Sequence, residues 1–146
     1  MLQQIVLGAG VSLANIAIHV VVVAWVVLMA RRAAAADRVA RPFWRLVAVT
    51  SVAAVALMAG HVIEVAVWAI VYALVGIAPG ANPVYFAFVN YTTLGYGDVL
   101  PAVEWQLIGP ITAMNGMLLF GLSTAVLFEV LRTIAQSLQL PLSKAN

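Results

Sequence analysis

Three stretches, residues 5–29, 46–77 and 105–131, are long and apolar enough to cross a bilayer, which takes about 20 residues in helical form. The first carries no charged residue, the second contains only His61 and Glu64, and the third only Glu129 near its end. Backbone groups in lipid must be satisfied within their own segment, so the chain reads as an all-α membrane protein with three transmembrane helices. The rest of the composition agrees: 65% of residues are hydrophobic and 8% charged, and the mean hydropathy is +1.09. A net charge of +2 gives no reason to expect a nucleic-acid partner, and the lack of cysteine excludes disulfides and thiolate metal sites. No base and nucleophile pair of an enzyme is visible. Residues 1–4 lack a basic lead-in, so the first stretch is expected to stay as a helix.

The basic residues set the orientation. Arg31, Arg32, Arg38, Arg41 and Arg45 crowd one short segment against the single Asp37, and Arg132 and Lys144 follow the third stretch. Excess Arg and Lys beside membrane helices marks the cytoplasmic face. The chain therefore divides into a peripheral helix (5–29), a basic cytoplasmic loop (30–45), an outgoing helix (46–77), an external segment (78–104) and an ingoing helix (105–138). This places the N-terminus outside the plasma membrane and the C-terminus inside.

The external segment holds two short pieces. Asn82 is a good N-cap and Pro83 suits the first helical position, so a helix is expected from there to Tyr91. About ten residues make roughly 15 Å of helix, enough to enter the membrane but not to cross it. The chain must return through an extended turn, Thr92-Thr93-Leu94-Gly95-Tyr96-Gly97-Asp98. Irregular backbone at such depth is tolerated only where protein or a water-filled path surrounds it. Gly95 and Gly97 can take positive φ, which lets neighbouring residues alternate in conformation while their carbonyls turn to one side. The C-terminal end of the short helix, near Tyr91 and Thr92, aims about half a negative charge at the membrane centre. Asp98 and Glu104 add negative charge at the outer end and Glu129 about 7.5 Å below Thr124, although Glu104 and Glu129 also read as ordinary interfacial acids.

Residues 92–98 resemble the signature of the potassium channel family, in its small prokaryotic form with two pore helices per subunit. The similarity covers roughly residues 46–131, and the helix at 5–29 is an addition to it. The resemblance implies a K+-selective filter in which Thr93, Leu94, Gly95, Tyr96 and Gly97 line a single axis. The bound K+ ions sit at Thr93, Leu94, Gly95 and Tyr96, and Thr93 adds its hydroxyl as the innermost ring. Tyr96 is expected to pack behind the filter against the short helix's aromatics. The run from Gly116 to Ala125 resembles the family's inner helix, with a hinge at Gly116, Gly121 beside it, and a cavity-facing hydroxyl at Thr124. One filter strand per chain implies a fourfold-symmetric homotetramer. K+ is the transported ion, and no organic cofactor is expected. Where some relatives carry a Glu and a Trp that hold the aspartate after the filter, this chain has Val89 and Phe86. Tyr85 or a neighbouring subunit is then the expected partner of Asp98, with Thr92 and Phe86 as further filter support.

His61 and Glu64 lie three apart on one helix face, about 28 Å up from Arg45 for Glu64, near the depth of the filter. His19 lies about 18 Å above Arg31 and can approach His61 from the side. The pair reads first as a hydrogen-bonded link between helices, then as a pH sensor, then as part of a metal or haem site. Trp68 and Tyr72 are expected in the external aromatic belt. Other classes remain in view: a nonselective cation channel, against which Tyr96 argues, and a sensory or haem-binding membrane protein, which would not need the re-entrant segment. No helix carries Arg at every third position, and the dozen or so residues after Arg132 leave no room for a regulatory domain, so the opening stimulus is unassigned.

Overall fold

The computed structural model describes residues 1–36 and 41–138; Asp37, Arg38 and Lys144 lie outside them. It is all-helical among these residues: α1 (Leu2–Ala35), α2 (Pro42–Val75), the short α3 (Pro83–Tyr91), one 3-10 turn at Val103–Trp105, and α4 (Ile108–Ser137). Three segments, Leu2–Ala35, Pro42–Val75 and Val103–Ser137, are long and apolar enough to span a membrane. At 1.5 Å per residue the 34 residues of α1 extend about 50 Å, well past a hydrocarbon core of about 30 Å. α1 therefore runs beyond its apolar stretch, because Arg31 and Arg32 are good helix formers and nothing at the lipid boundary stops the backbone ladder.

The ends follow local chemistry. Gly76 (φ +69) stands just past α2, and the Ile77 amide returns to the Tyr72 carbonyl at 3.1 Å, which closes the helix with a glycine in the left-handed conformation. Asn82 caps α3 as its residue type requires, its side chain accepting from the amides of Val84 (3.0 Å) and Tyr85 (3.2 Å), with Pro83 next.

The chain forms two compact units, one of residues 1–19 and 61–120 and one of residues 20–60 and 121–146. In the first, Trp68, Tyr72, Ile77, Phe86, Ala87, Tyr91 and Ile108 form the core around α3. Trp68 and Tyr72 are 0% and 2% exposed, so they are core residues and not members of an aromatic belt. Their polar tips explain this: the Trp68 indole donates to Asn115 Oδ1 at 3.0 Å, and the Tyr72 hydroxyl meets Thr112 Oγ1 at 2.7 Å, so each finds a partner on α4 without water. In the second unit Val26, Ala30, Ala53, Leu57 and Val130 pack together, with Leu46, Ile134 and Ala135 as a further cluster. The Arg45 guanidinium there donates to the carbonyls of Ala33 and Ala36, satisfying backbone acceptors at the C-terminal end of α1.

Candidate functional site

The 92–98 segment leaves the end of α3 through a tight set of backbone bonds. The amides of Thr92, Thr93 and Leu94 return to the carbonyls of Phe88, Asn90 and Val89 at 2.9, 3.0 and 2.9 Å, and Thr92 Oγ1 donates to Phe88 O at 2.7 Å. From there φ is positive at every second residue: Thr93 (+61), Gly95 (+59) and Gly97 (+75). Leu94 and Tyr96 between them stay outside the left-handed region, so the two backbone forms alternate along the segment. Gly95 and Gly97 adopt the left-handed form freely, as their residue type allows. Thr93 does not. A β-branched residue at positive φ is a strained conformation costing on the order of 1–2 kcal/mol, which sequence reading did not anticipate and which the surrounding hydrogen bonds must hold.

Asp98 closes the segment against Tyr85, whose hydroxyl donates to Asp98 Oδ2 at 2.6 Å. This is the replacement partner that the sequence suggested. The hydrogen bond to Asp98, with some desolvation and the Asp98 charge, raises the Tyr85 pKa above its ordinary value. Phe86 takes no part in this contact. It is 2% exposed and packs on the Tyr72 ring (centroids 5.3 Å apart), so its support is to the seat of α3. Tyr96 is 70% exposed, so it does not pack against the short helix of its own chain. Thr92 through Asp98 are all exposed in the single chain.

Gly116 has a packing role besides the hinge expected of it. α4 continues as helix through it, and a methyl group there would run into the Tyr91 carbonyl oxygen. The missing side chain is what lets α4 lie against the last residue of α3. Gly121 and Thr124 are exposed on the same helix, with open space beside Gly121. Glu129 is exposed and accepts from Thr133 Oγ1 at 3.4 Å. Glu104 lies in the 3-10 turn, and its carbonyl accepts from the Gln4 side chain.

Behind α3 stands a polar cluster. Glu64, 0% exposed, receives His19 Nδ1 on Oε1 at 2.8 Å and His61 Nδ1 on Oε2 at 2.9 Å; the Tyr91 hydroxyl also donates to Oε2. The expected His61 and Glu64 contact is present, facing protein, and His19 joins it with its ring 5.2 Å from that of His61. Sequence reading missed the Tyr91 link, which connects the cluster to the residue just before Thr92. It also missed Asn15 and Asn115, paired at 3.1 Å, with the Asn15 amide also donating to the Glu64 carbonyl at 3.2 Å. Asparagine inside an apolar stretch was the available signal, since such a group must find a partner.

The family profile described as Ion channel matches residues 60–133, just over half of the chain. No curated protein and no solved structure matches.

Proposed function

From the premise that this chain belongs to the ion-channel family, we propose that it is the subunit of a potassium-selective channel, a homotetramer conducting K+ passively. The observation that carries this reading is the alternation of positive φ at Thr93, Gly95 and Gly97 inside Thr-Leu-Gly-Tyr-Gly. A dehydrated ion needs oxygens on every side, and four copies of such a carbonyl ladder around one axis supply them. K+ is then held by the oxygens of Thr93, Leu94, Gly95 and Tyr96, with Gly97 ending the ladder. The exposed face of α4 that carries Gly121 and Thr124 lines the cavity below, and Glu129 stands nearer its inner end. The placement of Arg31, Arg32, Arg41, Arg45 and Arg132 supports a plasma-membrane topology with the N-terminus outside and the C-terminus cytoplasmic.

The test is ion flux from purified protein in liposomes. K+ and Rb+ pass while Na+ is excluded; equal passage of Na+ would reduce the reading to a nonselective cation channel. Gly95→Ala abolishes the flux with expression retained. The nearest heavy atom to a methyl at this position is the Thr93 carbonyl oxygen at 3.9 Å, so the loss comes from the φ of +59 and not from packing.

A further inference from the structure

Residues 1–19 and 61–120 contain no Lys or Arg. Glu64 is nevertheless fully buried there, on a helix that spans the membrane. A carboxylate taken out of water is tolerated only with a compensating charge or a proton, and within this unit no basic side chain other than histidine can supply the charge. What faces it is a convergent donor set from three elements: His19 of α1, His61 of α2 and Tyr91 of α3.

The spacing fits a small cation. The ligand atoms of His19, His61 and Glu64 all lie within 4.8 Å of one another. The measured edges are 2.8 Å (His19 Nδ1 to Oε1), 2.9 Å (His61 Nδ1 to Oε2) and 3.0 Å (His61 Nδ1 to the Tyr91 hydroxyl). Bonds of about 2.0–2.2 Å to a tetrahedral zinc ion set ligand edges of about 3.3 Å, so with one Glu64 oxygen on the ion the short edges open by a few tenths of an ångström and any edge near the 4.8 Å limit closes. Both imidazoles turn the same nitrogen, Nδ1, toward the shared space. His61 is 12% exposed in the single chain, against 1% for His19 and 0% for Glu64.

We propose that His19, His61 and Glu64, closed by the Tyr91 hydroxyl, form a binding site for a divalent transition-metal ion of the zinc class. Two imidazole nitrogens and a carboxylate suit Zn2+, Co2+, Ni2+ or Cu2+ over Mg2+ and Ca2+, which favour all-oxygen sites. The ion's charge offsets that of Glu64. The bound ion ties α1 to α2 and, through Tyr91, to the start of the 92–98 segment.

The experiment uses the full chain without an affinity tag of histidines, stripped with chelator and kept in detergent. Zn2+ is titrated by equilibrium dialysis, and Co2+ serves as a visible-absorption probe. One ion binds per chain, Co2+ gives the intense visible bands of tetrahedral coordination, and Zn2+ displaces it. His19→Asn and Glu64→Gln each weaken binding by more than about 100-fold, the upper end for loss of an outer partner of a ligand. Tyr91→Phe weakens it by about tenfold. Unchanged Zn2+ binding in His19→Asn, or no stoichiometric binding in the wild type, overturns the site. X-ray absorption on the zinc-loaded wild type guards against variants that fail to fold: two imidazoles around zinc support the site, and their absence overturns it. None of these readouts requires ion flux, so the site stands or falls apart from the conduction reading.

Discussion

At the scale of single residues, the exposed end of the 92–98 segment is held by the hydrogen bond from Tyr85 to Asp98. Tyr85→Phe keeps the ring and removes only the donor, so it shortens the conducting lifetime several-fold while leaving ion selectivity unchanged, as single-channel recording would measure. The same bond sets a pH limit. A phenol whose pKa is raised in the folded chain contributes stability below its ordinary value of 10.0, and that contribution is lost as pH rises through the raised value. Wild-type activity therefore declines above that range, and Tyr85→Phe, already without the bond, does not show this decline. Tyr85 was legible in advance because Val89 and Phe86 leave Asp98 without other local partners. Thr93 was not, because nothing in a threonine's identity announces a left-handed φ; the neighbouring glycines carried that signal alone.

At the scale of elements, glycine shows how far a sequence can be read. The missing side chain of Gly116 suits a bend and a close approach equally, and only the fold shows the second. The Tyr91 carbonyl occupies the space of a Cβ there. Gly116→Ala accordingly forces α4 and α3 apart, destabilising the protein by roughly 1–3 kcal/mol, the usual range for overpacking a tight core. A lowered thermal midpoint in detergent reports this, whereas Gly121→Ala, with open space around it, leaves the midpoint nearly unchanged. The start of α3 was legible from Asn82 and Pro83, since caps are local chemistry. The ends of α1 and α2 were not: α1 continues past its last apolar residue, while α2 stops at Val75, inside its apolar stretch, where Gly76 takes a positive φ. The link from His19 to Glu64 was visible only as a similarity in height, and the link from Tyr91 to Glu64 was not visible, since it joins residues 27 positions apart on elements whose facing is set by packing.

At the scale of the molecule, a single chain leaves its own 92–98 backbone exposed, together with Met117, Phe128 and other apolar residues of α4. Irregular backbone at membrane depth cannot face lipid, so the proposed assembly gives this surface its cover as well as its ion path. Chemical crosslinking of the purified protein in mild detergent saturates at four chains; a limit at two or three would exclude the fourfold axis. The first unit, finally, has a consequence for the order in which the protein is made. Gln4, Asn15 and His19 leave the ribosome with α1, but their partners Glu104, Asn115 and Glu64 lie 100, 100 and 45 positions further along. Until those residues are synthesised, α1 sits in the membrane without the partners that Gln4, Asn15 and His19 find in them. The last helix to be made, α4, thus completes the polar seam that the first helix began.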